Sequence, residues 1–199
     1  MTALALVVMA VVLAPAPADA ARTKVITRNF SKPQPITIPV GAPGVVAASP
    51  YPSSLNVQGF NRGTILDVNV SLRNFSHPNP MDVDVMLSKG GRSCVVMSDA
   101  GGGSTAENVT LRLDEEAANA LPIGSPLVSG TFRPANHDGG DGDFFYSPPP
   151  LEFPELSRTF DGRNPNGTWE LRVVDDIGDE GAGQFAGGWN VTIRARVQT

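Results

Sequence analysis

Residues 164–193 read NPNGTWELRVVDDIGDEGAGQFAGGWNVTI and contain two alternating runs joined by a loop of acids and glycines. In the first run Trp169, Leu171 and Val173 share one side and Glu170 and Arg172 the other. In the second, Trp189, Val191, Ile193, Ala195 and Val197 alternate with Asn190, Thr192, Arg194 and Arg196. A period of two is that of a strand with one face buried. Both tryptophans therefore fall on the apolar side, and their expected place is the core, where each removes a large area from water. Ahead of the first run, NPNG is a turn: proline suits its second position, Asn166 the third, and Gly167 tolerates a positive φ at the fourth. The loop between the runs reads either as a cation site or as a solvated link between strands.

The same period extends toward the N-terminus. From Thr64, Leu66, Val68, Val70 and Leu72 alternate with Asp67, Asn69, Ser71 and Arg73. In DVDVMLS the spacing places Val83, Val85 and Leu87 inward and Asp82, Asp84 and Met86 outward. With RSCVVMS beyond Gly90–Gly91, residues 82–97 form a predicted hairpin. NVTLRL puts Val109, Leu111 and Leu113 on one face, and ITIPV supplies a short strand closed by Pro39. One helix is expected, over DEEAANAL, with Asp114 as its cap, Glu115 and Glu116 facing the positive N-terminal dipole, and Pro122 ending it. Residues 21–35 are polar and proline-bearing and read as a flexible N-terminal arm. The proline-rich passage from Pro122 to Pro154 reads as an extended surface wrap. The sum is an all-β fold, a β-sandwich of the jelly-roll kind with one short helix.

The chain has 199 residues, of which 41% are hydrophobic, enough for one domain with its own core. The formal charge of −5 and the lack of any Lys/Arg run exclude a basic nucleic-acid surface. Residues 1–20 are apolar, broken by prolines, and end in Ala18-Asp19-Ala20. That is a small-x-small cleavage signature, so they read as a signal peptide and the protein as secreted, with no membrane association after cleavage. Cys94 is the single cysteine, so no internal disulfide forms, and its place in SCVVM predicts a buried, inert thiol. Six Asn-x-Ser/Thr sequons occur, at Asn29, Asn69, Asn74, Asn108, Asn166 and Asn190, several of them within strands or tight turns.

Catalytic signals are few. The two histidines, His77 and His137, lie among turn residues and read as surface-loop side chains. There is no G-x-S-x-G elbow and no H-E-x-x-H. His137 and Asp138 could join one of many serines, but the sequence singles out no nucleophile. Calcium takes clustered carboxylates and loop carbonyls, and the acids gather at 138–143 and 175–180. The candidate ligands are Asp175, Asp176, Asp179 and Glu180, with Asp82 and Asp84 adding carboxylates from a strand. The competing reading is an acidic loop that keeps sheet edges from pairing with other chains. Phe144, Phe145 and Tyr146 form the best exposed aromatic cluster and either meet a glycan or plug one end of the sandwich.

From Ile36 to Val197 the chain resembles the P domain, or Homo B domain, of proprotein convertases, the furin- and kexin-like relatives of subtilisin. The resemblance is carried by ITIPV, by ILDVNVSLRNFSHPNPMDVDVMLSKGGRSCVVMSDAGGG, by LDEEAANALPIGSPLVSGTFRP and by LSRTFDGRNPNGTWELRVVDDIGDEGAGQFAGGWNVTI. Their order is the family's: a His-bearing turn, an Asp-led strand, a Gly turn and a closing G-x-W-x-L-x-V-x-D…G…W run, with Asp82-Val83 in place of the usual Asp-Leu. The resemblance implies a jelly roll similar to galactose-binding folds. It also implies a non-catalytic module that packs on and stabilises a subtilisin-like serine endopeptidase. The catalytic triad belongs to that other domain, and no residue here inherits it. A protein partner is thus expected, either a protease of that kind or a cell-surface component. The alternative is a carbohydrate-binding domain of the galactose-binding type.

Overall fold

The computed structural model describes residues 22–137, 143–146, 151–152 and 155–199. The expected signal peptide and Asp138 and Asp141 lie outside the described residues. Two seven-stranded sheets face one another. In the first, β1 (Thr23–Lys32), β14 (Trp189–Gln198), β5 (Thr64–His77), β13 (Gly183–Phe185) and β2 (Ile36–Ile38) run side by side, and β8 (Ala106–Leu113) and β9 (Gly130–Phe132) extend it from β5. In the second, the order is β10 (Ala135–Asn136), β7 (Arg92–Ser98), β6 (Val83–Lys89), β12 (Gly167–Asp175) and β3 (Val46–Ala47). There β4 (Ser53–Val57) also pairs with β12, and β11 (Leu151–Glu152) with β7. The all-β sandwich expected from the alternation is the fold of the chain.

The core lies between the sheets. Val68, Val70, Leu72, Val191 and Ile193 of the first sheet meet Val83, Val85, Leu87, Leu171 and Val173 of the second. Trp169 and Trp189 are both fully buried. Their indole N–H groups donate to the Pro165 carbonyl at 2.9 Å and to Ser53 Oγ at 3.0 Å, so neither burial leaves a polar atom unsatisfied. The NPNG turn is clamped from its side chain. Asn166 Oδ1 accepts the Phe60 N–H at 3.1 Å, and Asn166 Nδ2 donates to the Phe60 carbonyl at 2.7 Å. Cys94 is buried in the same core, as its setting predicts.

Four expectations are corrected. The flexible arm predicted at 21–35 contains a ten-residue strand, β1, paired antiparallel with β14 from Thr23↔Gln198 to Lys32↔Trp189. Its apolar content is low because it is an edge strand. Only Ile26 and Phe30 touch the core, and Lys24, Arg28 and Lys32 keep the open edge charged. The helix predicted over DEEAANAL does not form. Asp114 instead accepts the Glu116 N–H at 3.1 Å through Oδ1, a local turn that competes with the helix. A one-and-a-half-turn helix, α1 (Leu156–Phe160), lies elsewhere and buries Leu156 and Phe160. In β5, Ile65 and not Leu66 is buried. The pairing with β14 slips between Arg194↔Asp67 and Ala195↔Ile65, so Leu66 is the extra residue of a bulge. Finally, Met86 is not exposed: with Val95, Val174 and Phe145 it forms a second, smaller cluster on the outer face of the second sheet.

Candidate functional site

The candidate site lies at one end of the sandwich, where β5, β6, β7 and β12 deliver their acidic and histidine residues. It is built first on a change of parity in β5. The pairing of β5 with β8 shifts between Leu72 and Phe75, next to Asn74 at φ 55°. Before the shift the inward residues are Val68, Val70 and Leu72, and after it they are Phe75 and His77. His77 is therefore 1% exposed, against the surface-loop position expected for it. Its ring lies parallel to Phe75, with centroids 6.4 Å apart, and Phe75 stacks on Phe185 at 4.6 Å. Gly183 completes the enclosure, because a Cβ there would collide with His77 Cδ2.

His77 Nε2 stands 3.1 Å from Asp175 Oδ2, and both side chains are wholly buried. Nδ1 lies 2.8 Å from the Asn79 carbonyl and 3.2 Å from the Asn79 N–H. Burial alone lowers an imidazole pKa, but the hydrogen bonds to Asp175 and to the Asn79 carbonyl outweigh it and hold the ring above its ordinary value. The pair is a buried histidine–carboxylate hydrogen bond that ties the end of β5 to the end of β12. The other oxygen of Asp175 accepts the Ile177 N–H at 3.0 Å and so starts the acidic loop.

Around this pair stand Asp82 and Glu180, bridged by Asn79, whose Nδ2 lies 2.7 Å from Asp82 Oδ2 and 2.9 Å from Glu180 Oε2. Asp82 is pushed up to about 6, first by burial and then by the charges of Glu180 and Asp175. A second group sits beside the first. Asp84, Asp99, Asp143 and Asp176 gather near Ser98, whose Oγ lies 3.0 Å from Asp99 Oδ2 and 2.7 Å from Asp143 Oδ1. Burial, and then Asp143 and Asp176, push Asp84 up to about 8.

Of the six acids read as candidate ligands, Asp82, Asp84 and Asp175 are buried and Asp176 is half-buried, while Asp179 and Glu180 are exposed. Asp82 and Asp84 were expected on a solvated face. Asp84 lies opposite Val174 on the outer face of the second sheet, where Phe145, Tyr51 and Val45 pack around Met86 and Val174, whereas Asp82 ends the short 3-10 turn Pro80–Asp82 and is held by Asn79. The six do not form one cluster. Asp82, Asp175 and Glu180 belong to the histidine group, Asp84 and Asp176 to the serine group, and Asp179 faces solvent. Asp99 and Asp143 complete the second group. Asp143 was legible only as one of the acids at 138–143, and Asp99 follows strand β7 with no signal in its neighbours. Among the described residues, no three acidic, His or Cys side chains already close on one point as a metal-ligand set.

His137 is half-buried, and its Nε2 lies 3.0 Å from the Leu121 carbonyl. Phe145 is buried, whereas Phe144 and Tyr146 are 54% and 40% exposed and meet edge to face at 5.5 Å. Of the sequon asparagines, Asn69 and Asn190 are buried and Asn108 is exposed. No helix among the described residues is long and apolar enough to cross a membrane. No family model, no curated protein and no solved structure matches the chain.

Proposed function

We propose that this chain is a secreted, non-catalytic P-domain-like module that binds and stabilises a partner protein, a subtilisin-like serine endopeptidase or a cell-surface component. The observation that carries it is the commitment of both histidines. His77 is sealed in a buried hydrogen bond with Asp175, and the His137 ring is held against a backbone carbonyl. A triad needs a histidine free to take a proton from a nucleophile within hydrogen-bond reach. The reading also draws on the resemblance of residues 36–197 to the convertase P domain and on the all-β sandwich fold. The test has two arms. Purified protein incubated with casein and with a fluorogenic dibasic peptide is expected to give no turnover, and turnover lost in His137→Ala would overturn the reading. Cross-linking in the secreted fraction is expected to capture a subtilisin-like protease or a surface protein.

A second reading rests on Phe144 and Tyr146. Two exposed aromatic rings beside an acidic end are a surface on which a sugar ring can stack. Glycan-array binding that disappears in Phe144→Ala would favour a carbohydrate-binding domain over the protein-binding module.

A further inference from the structure

The first sheet has an open edge that fits the partner-binding module proposed above, and its assignment rests on that reading. β1 ends the strand order of the sheet, with β14 on one side and, among the described residues, no strand on the other. The Thr199 N–H donates to the Arg22 carbonyl at 3.0 Å, and the pairing runs without a shift from Thr23↔Gln198 to Lys32↔Trp189. In an antiparallel ladder, residues that bond to the partner strand alternate with residues that do not. Lys24, Ile26, Arg28, Phe30 and Lys32 therefore bond to β14, and the N–H and C=O groups of Thr23, Val25, Thr27, Asn29 and Ser31 point away from it. Among the described residues no hydrogen bond reaches these outward groups, and all five residues are exposed. With no proline and no bulge along its length, the edge is a template for an added strand.

The side chains of β1 select the strand that fits. Its core-side row reads Lys24, Ile26, Arg28, Phe30 and Lys32, a cation at every fourth residue with an apolar residue between. Ile26 and Phe30 pack on the core, and the Arg28 guanidinium is held 5.7 Å from the centre of the Phe60 ring. The other row, from Thr23 to Ser31, is uncharged. Residues 22–66 and 187–199 contain no acid, so the strands and loops beside the row give it no counter-charge. Among the described residues none of its cations is in an ion pair. A second copy would bring four more cations, Arg22, Lys24, Arg28 and Lys32, to the same seam, and like charges across a strand pair are destabilising. We propose that β1 takes an extended acidic segment of a partner protein as an added strand. Carboxylates at every fourth residue stand opposite Lys24, Arg28 and Lys32, and apolar side chains between them stand opposite Ile26 and Phe30. Backbone bonds give the affinity, and the spacing of the acids selects the partner.

The test uses the full purified chain and a capped, fluorophore-labelled nonapeptide, Glu-Thr-Val-Thr-Glu-Thr-Val-Thr-Glu. Fluorescence anisotropy is expected to show saturable binding that weakens as salt rises. Three control peptides are each expected to bind at least about tenfold more weakly. One carries lysine for glutamate, one has the same composition with its glutamates adjacent, and one is N-methylated at its threonines, which removes the donors that face β1. Thr27→Pro removes one outward donor and leaves the bonds to β14 in place. It is expected to melt as the unsubstituted chain does and to bind the nonapeptide at least about tenfold more weakly. Lys24→Glu combined with Lys32→Glu is expected to weaken binding without touching the backbone, and serves if Thr27→Pro does not fold. No saturable binding of the nonapeptide, or equal binding of the controls, would overturn the proposal. So would a heparin-derived oligosaccharide that binds the unsubstituted chain and Thr27→Pro alike and displaces the nonapeptide from both, which would make the edge a general polyanion surface. A concentration-dependent dimer that is lost in Thr27→Pro would overturn it in favour of a second copy. A partner cross-linked equally by both chains would overturn the edge alone and leave the module reading standing.

Discussion

His77 is the residue on which the acidic end turns. It is a buried base whose only charged partner in hydrogen-bond contact among the described residues is Asp175, itself wholly buried. Removing either partner strands the other in a dry environment. His77→Gln and Asp175→Asn are each expected to cost about 3–5 kcal/mol by urea denaturation, with the double variant costing clearly less than the sum. The pH dependence follows from the raised imidazole value. Its folded value lies above the unfolded one, so its stabilisation is complete below about pH 6.5 and fades as pH rises through the folded value. NMR titration of His77 is expected to place its midpoint above that of a free histidine. Gly183 is tied to the same ring: Gly183→Ala drives a methyl into His77. The variant should lose stability and shift the His77 resonances, whereas an alanine at Gly103, where nothing lies within 4 Å, should do neither.

Among the elements, β1 and the start of β6 depart most from a local reading. β1 holds ten residues against β14 although few of its side chains are buried. Its persistence comes from backbone ladder bonds supplied by the partner strand. Trypsin is therefore expected to spare the bonds after Lys24 and Arg28 in the native protein, and amide exchange along β1 to be protected. The start of β6 carries two acids with raised values, Asp82 at about 6 and Asp84 at about 8. Both are protonated in the fold at pH values where the unfolded chain has lost the proton. In chelator, stability from these groups is complete below about pH 4 and falls as pH rises toward 8. Thermal melts between pH 5 and pH 8 check the direction, and a flat or rising profile would count against the buried placement of Asp84.

At the scale of the whole molecule, one core joins both sheets, and the two tryptophans are its largest members. Trp169→Ala and Trp189→Ala are each expected to cost about 3–5 kcal/mol, measured by denaturant unfolding, because each opens a cavity and orphans the group its indole met. These positions, like Val68, Val70, Val109, Leu111, Leu171 and Val191, were legible from alternation alone. A strand buried on one face must repeat its apolar residues every second position, and the chain carries that repeat openly. The sandwich, the 82–97 hairpin and the inward tryptophans were therefore determined by the sequence. Where alternation failed, the cause was nonlocal. Bulges at Leu66 and near Asn74 reset which residues face inward, and β14 makes a strand of an arm that lacks the apolar content to declare itself. A covering segment from 143–146 turns Asp84 and Met86 from surface into interior. The assembly of Asp84, Asp99, Asp143 and Asp176 around Ser98, and the sealing of His77 against Asp175, were decided by the tertiary structure alone. Pattern along a strand reports which side a residue faces, but not what the folded chain lays over that side.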